Sequence, residues 1–217
     1  MKRKLFLLLP ILVISLTQII TAQTVTKFRF EEKERNGNIL YATIDGKEEI
    51  ISEATFEAWI TNDGKEIVYS GAEDDNGEAI SLRIYDIKTR QTLKAIFVGA
   101  AYFFTALKEI KLSNGKRLLI LTTGDEVAGA THIWIVDPNR GAIFYRDSAI
   151  LTKLKGDVIT LAFFRDRNWQ TINEEDDPES QNSVFTKTKV KPFKTQIVDL
   201  KKILKNKVID TKKEIIK

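Results

Sequence analysis

Cysteine is absent from this chain of 217 residues, which removes disulfides, thiolate metal sites and acyl-anchored lipoprotein export together. Histidine is nearly absent: His132 stands alone, so a His-dependent triad or a multi-histidine metal centre has one imidazole to draw on. No G-x-S-x-G elbow, phosphate-binding loop or dinucleotide fingerprint occurs. Long hydrophobic runs are missing too. The one apolar stretch, residues 5–14, falls short of the roughly 20 residues that cross a bilayer, and Pro10, Ser15, Thr17 and Gln18 interrupt or follow it.

What that stretch does have is Lys2, Arg3 and Lys4 ahead of it and a more polar approach to Ala22 behind it, the order of a secretory signal peptide. Cleavage near Ala22 or Gln23 is expected, leaving residues 23–217 as a single domain with no stable membrane span, exported to the periplasm or the cell exterior of a bacterium. The leader holds three of the 34 basic residues and none of the 30 acidic ones, so the mature chain, with 31 basic and 30 acidic residues, is near +1. Apparent basicity is therefore largely a targeting feature, and nucleic acid is not an expected partner. Without cross-links, stability must come from core burial, for which one domain of this length suffices.

The chain repeats itself. ITNDGKEIVYSG (60–71) is echoed by LSNGKRLLILTTG (112–124), with Gly64 and Gly115 51 residues apart. LRIYDIKTRQ (82–91) is echoed by HIWIVDPNRG (132–141), with Asp86 and Asp137 again 51 apart. A looser third copy runs from Leu161 to Asn206; its landmark Asp199 lies 62 beyond Asp137, which places an insertion at residues 173–182. Within each copy, β-branched and aromatic runs alternate with Gly, Asn and Asp, which predicts a meander of strands. In the first copy the strands are expected near 55–61, 66–70, 81–87 and 92–98, with tight turns at Asp63-Gly64 and, in the second copy, at Asn114-Gly115. Residues 27–51 offer two or three more strands with turns at Asn36-Gly37 and Asp45-Gly46, a partial unit.

Asp63, Gly64, Lys65, Ile84, Tyr85 and Asp86, with Asn114, Gly115, Lys116, Ile133, Trp134 and Asp137, form a pattern that resembles TolB-like and WD-type β-propeller repeats. The resemblance covers about two thirds of the mature chain and implies an all-β fold of four-stranded antiparallel units. The proline usual before the turn in TolB-like repeats is absent at Asn62 and Ser113. Closed propellers use about 4 to 8 blades, and three copies plus a fragment leave a four-bladed ring, an open partial propeller and a twisted sheet pair all in play.

Carboxylates are the richest candidate groups. Glu73, Asp74, Asp75 and Glu78 in the first copy, Asp125 and Glu126 in the second, and Glu174, Glu175, Asp176 and Asp177 in the third fall in equivalent connections, which blade symmetry would bring to one rim. The opposite rim would gather Lys65, Lys88, Arg90, Lys116, Arg117, Arg140, Arg165, Arg167, Lys201 and Lys202. An acidic rim suits a basic partner or a hard cation such as calcium. None of the three loops has the D-x-[DN]-x-[DN]-G spacing, so no cofactor is expected, and solubility alone accounts for charged turns. His132 sits in THIWIV with apolar neighbours on both faces, a packing or hydrogen-bonding position. Trp59, Trp134, Trp169 and the run Tyr102-Phe103-Phe104 read as core. From Lys201 onward the Lys-rich tail reads as a final strand with a frayed end rather than a membrane-surface helix.

The sequence thus favours an exported, non-enzymatic protein-binding or scaffold module using charged, loop-rich rims, its partner another envelope or secreted protein. The alternative is a carboxylate-dependent glycan-acting or cation-dependent hydrolase. A partial propeller could also self-associate through its edge strands.

Overall fold

A computed structural model describes residues 25–33, 37–72, 79–100, 102–125, 131–165 and 190–209. The leader, Asn36, Trp169 and the proposed insertion lie outside these residues. Thirteen described strands form three antiparallel sheets, and the single described helix is one turn long: the protein is all-β, built of stacked, propeller-like units.

The first sheet has six strands in sequence order: β1 (Val25–Glu31), β2 (Asn38–Ile44), β3 (Lys47–Ile60), β4 (Glu66–Ala72), β5 (Ala79–Asp86) and β6 (Gln91–Ala100). The turn between β2 and β3 has Asp45 at φ 52° and Gly46 at φ 78°, the doubly left-handed geometry that suits a tight hairpin. Strand β3 serves two layers. Its first half pairs with β2 as far as Asn38↔Thr55, and its second half pairs with β4 from Thr55↔Gly71 onward. The ladder is irregular on both sides of this shared residue, and Thr55 is fully buried there. Irregular pairing re-aims a strand, so the sheet folds over at Thr55. Leu40, Ala42 and Ile44 consequently pack on Ile67, Tyr69, Tyr85 and Ile87 of the same sheet.

The second sheet contains β7 (Tyr102–Lys111), β8 (Arg117–Asp125), β9 (Thr131–Asp137) and β10 (Gly141–Arg146). The third contains β11 (Ala149–Lys155), β12 (Val158–Phe163) and β13 (Lys194–Asp199), followed by α1 (Leu200–Ile203). Alternate side chains on a strand point to opposite faces, and here both faces of the middle layers are apolar. Val68, Leu82, Ile84 and Ile96 meet Leu119, Leu121, Trp134 and Val136 in a second interface. Leu118, Ile120, Ile133 and Ile135 meet Leu151, Ile159, Leu161 and Val198 in a third. Four layers thus stack face to face in chain order, and no buried cluster among the described residues joins the first layer to the last. Among the described residues, the stack is open rather than a ring.

Several expectations need correction. The third unit begins at Ala149, not Leu161, because Gly156 at φ 57° turns β11 into β12. As far as residue 209, the tail past β13 is not a strand: Asp199 accepts from the N–H groups of Lys201 and Lys202 and starts α1, whose Leu200 and Ile203 are buried. Beyond it the chain returns to β10, where Ile209 N–H donates to Ala142 O at 2.8 Å. The 51-residue spacing holds at the turns, where Gly64 and Gly115 both have positive φ, and it matches Leu82 and Ile84 to Ile133 and Ile135. In β8 it slips by one residue. Ile67 and Tyr69 face the preceding layer, whereas Leu118 and Ile120 face the following one, and Ile67↔Tyr85 corresponds to Leu119↔Val136. The turn reverses the faces: Thr61 N–H bonds Glu66 O in the first copy, but Leu112 N–H bonds Lys116 O in the second, one residue shorter, and the β8–β9 ladder is then displaced in the opposite direction.

Candidate functional site: the two ends of the stack

Antiparallel strands send successive connections to alternate ends. The turns at 61–66, 87–90, 112–116, 138–140 and 156–157, together with α1, share one end, here the turn end. The connections from Ala72 to Ala79, Asp125 to Thr131 and Phe163 to Lys194 all leave the other, the connection end. Glu73, Asp74, Asp75, Glu78, Glu126, Glu174, Glu175, Asp176 and Asp177 themselves lie outside the described residues, as does the side chain of Asp125.

The turn end is not the free basic rim that residue type suggests. Arg117 pairs with Glu66 of the neighbouring sheet and with Glu109 at 3.1 Å, while Glu109 also accepts from Asn62 N–H at 2.8 Å. Arg90 reaches Glu49 at 2.6 Å and Asp45 at 3.5 Å. Arg140 donates to the carbonyls of Leu204 and Asn206. Lys201 lies 3.1 Å from Asp157, and Lys65 lies 3.8 Å from Asp63. Arg90, Arg117 and Lys201 thus meet carboxylates of neighbouring strands or turns, and Lys65 meets one within its own turn, so part of this end's positive charge is compensated. Arg165 follows β12 and belongs to the connection end; Arg167 is outside the described residues.

Ser113, Asp157 and Lys201 form the only described Ser–Lys–carboxylate contact at this end. The Ser113 hydroxyl and N–H both donate to Asp157, and Lys201 donates to Ser113 Oγ at 3.3 Å. The hydrogen bonds from Ser113, with help from Lys201, hold the Asp157 carboxyl below its ordinary value. With its proton committed to a carboxylate and an ammonium donor on its oxygen, this serine is a staple between turns, not an activated nucleophile.

At the connection end, a polar chain runs inward from the surface. Ser148 donates to Asp147 Oδ1 at 3.0 Å; the same oxygen lies 2.9 Å from His132 Nδ1, and Tyr145 Oη lies 3.0 Å from that nitrogen. The Tyr145 ring stacks between His132 and Trp134, and Trp134 Nε1 donates to Thr123 at 3.2 Å. A hydrolytic triad puts the histidine between serine and carboxylate. Here the carboxylate stands between them, so His132 cannot take the serine proton. His132 is buried and orders the β10–β11 connection, the hydrogen-bonding role its setting predicts. Trp134 is core and Trp59 lies at its edge; the side chains of Tyr102, Phe103 and Phe104 are outside the described set.

Beside this chain, Ser148, Phe163, Phe164, Arg165 and Phe193 line an apolar cleft of about 500 Å3. Sequence reasoning missed it because its phenylalanines straddle a 30-residue separation that only the β12–β13 pairing closes. Among the described residues, no group of three or more His, Asp or Glu side chains is placed to hold a metal ion. None of their helices is long and apolar enough to cross a membrane.

Stacked antiparallel sheets of three to six strands define a propeller-like β-protein. No protein-family model and no curated protein matches the chain. Among solved structures it is similar to the β-propeller domain of the Trilobed protease from Pyrococcus furiosus, described as having an open velcro topology, at 15% identity and a TM-score of 0.39 over 66% of this chain and 49% of that one. It is likewise similar to a Pyrococcus horikoshii acylaminoacyl peptidase at 15% identity and a TM-score of 0.40, over 66% of this chain and 28% of that one. The chain spans less than half the length of either, and the architectural assignment rests on the stacking of its own sheets.

Proposed function

We propose that this chain is an exported, non-catalytic binding module of the TolB-like or WD-type repeat kind, which docks a basic partner protein of the envelope or cell exterior at its connection end. One observation carries the reading: three successive layers send their acidic-residue-bearing connections from the same end, while Arg90, Arg117 and Lys201 of the opposite end are paired with carboxylates. Rigid strands would hold the three segments in fixed register, and their summed negative charge would steer a cationic partner and weaken with salt. The Phe163, Phe164 and Phe193 cleft adds apolar surface at that end.

Reversing Asp74, Asp75, Glu174 and Glu175 to Lys should abolish capture of an envelope partner while leaving the circular dichroism spectrum and unfolding midpoint unchanged. Undiminished capture by the reversed protein would count against the reading. Mass spectrometry of the exported chain should find its N-terminus at residue 23 or 24; an intact Met1 would remove the export half.

A further inference from the structure

Among the described residues, two of the layers are built out to four strands, by β3–β6 and β7–β10, but the last has three. Its edge strand β13 faces a groove of about 530 Å3 opposite the edge of β10. Four consecutive residues of each strand, 143–146 and 196–199, line that groove. Since side chains alternate between faces, consecutive lining means that the strand edge itself is open.

The ladder phase can be read. Leu200 N–H donates to Asp157 O, and directly opposed residues in an antiparallel pair alternate between bonded and non-bonded. Gln196 and Val198 therefore turn their backbone groups toward β12, and Thr195 and Ile197 turn theirs outward. Ile197 is 74% exposed, so the middle of this edge has no charge to repel an incoming strand. Charge surrounds it instead: Arg146 spans the groove to Gln196 at 3.1 Å, and Lys202 and Lys207 close its turn end. The one carboxylate on the lining, Asp199, is occupied in capping α1.

We infer that β13 takes an extended acidic peptide of another protein as the fourth strand of the last layer, with backbone pairing to Thr195 and Ile197 and carboxylates meeting Arg146, Lys202 and Lys207. The basic rim disfavours a second copy presenting the same edge. This site lies along the stack's flank and is independent of the acidic connections.

The probe is a fluorescein-labelled Glu-Val-Glu-Val-Glu-Thr-Glu peptide, with its Lys-for-Glu counterpart as control, titrated by fluorescence anisotropy against the full exported chain. The acidic peptide should bind, slow amide exchange at Thr195 and Ile197, and bind at least tenfold more weakly to the Arg146→Glu, Lys202→Glu, Lys207→Glu variant. Ile197→Pro, which deletes an outward N–H, should weaken it further; the charge-reversed variant stands alone if the proline variant does not fold. Equal binding of the two peptides, no protection at Ile197, a homodimer through β13 in sedimentation, or binding only after removal of residues 210–217 would each overturn the assignment.

Discussion

Adjacent residues of β8 give the sharpest test of the stacked arrangement. Leu119 and Ile120 are both fully buried, yet the first packs into the second interface and the second into the third. In a sheet with one wet face, neighbours along a strand alternate between buried and exposed, so only one of two alanine substitutions is costly. Here Leu119→Ala and Ile120→Ala each remove three carbons from a closed interface, worth about 2.4 kcal/mol at about 0.8 kcal/mol per methylene. Incomplete collapse adds about 24 cal/mol per Å3 of residual cavity, which brings each to about 2.5–4 kcal/mol. Ile197→Ala, on the exposed edge, should stay within about 0.5 kcal/mol. Urea unfolding followed by far-UV circular dichroism and tryptophan fluorescence measures all three. Leu119→Ala should couple to Ile84→Ala, which shares its cluster, and add to Leu161→Ala within about 0.5 kcal/mol. A cost below about 1 kcal/mol at either β8 position would refute the sandwiching of this strand between two layers.

Arg117→Met should lower stability by about 1–3 kcal/mol, since it leaves the Glu66 and Glu109 carboxylates, 18% and 14% exposed, without their shared cation; adding Glu66→Gln and Glu109→Gln should restore part of the loss in urea midpoint. Gly115→Ala meets no atom within 4 Å, so its cost is the backbone strain of φ 81° alone, about 1–2 kcal/mol by the same assay. Asp157 has a depressed folded pKa, so its contribution is present above the unfolded value of about 3.9 and is lost as pH falls through the folded one. Asp157→Asn should therefore have a lower urea midpoint than the parent at pH 7, and the gap should close on acidification; a gap that is constant with pH would exclude the Ser113 and Lys201 contacts as its source.

Much of the fold was legible because it is written in short-range chemistry. Asp63-Gly64 and Asn114-Gly115 mark turns that strands must follow, and the paired landmarks at a 51-residue spacing exposed the repeat before any contact was known. Lys155-Gly156-Asp157 escaped notice because its glycine precedes the aspartate, yet the left-handed residue does the same work there. The fold-over at Thr55 left no mark either: residues 47–60 contain no glycine or proline, and what bends β3 is pairing with β2 on one side and β4 on the other. Charge was the least readable property. Arg117 and Glu66 are 51 residues apart, and Lys201 and Asp157 are 44 apart, so composition counted as free rim charge what these carboxylates pair.

The sequence by itself determined that strands would form, where the tight turns fall and which two ends the connections alternate between, since side-chain shape, glycine conformation and strand direction are local matters. Only the tertiary structure decided that the described layers stack face to face, that β8 slips by one residue, and that Arg90, Arg117 and Lys201 pair between neighbouring strands and turns while β13 lies at the edge of the described sheet. Those outcomes depend on which surfaces meet across dozens of residues, and burial and ion pairing are properties of the meeting rather than of either partner alone.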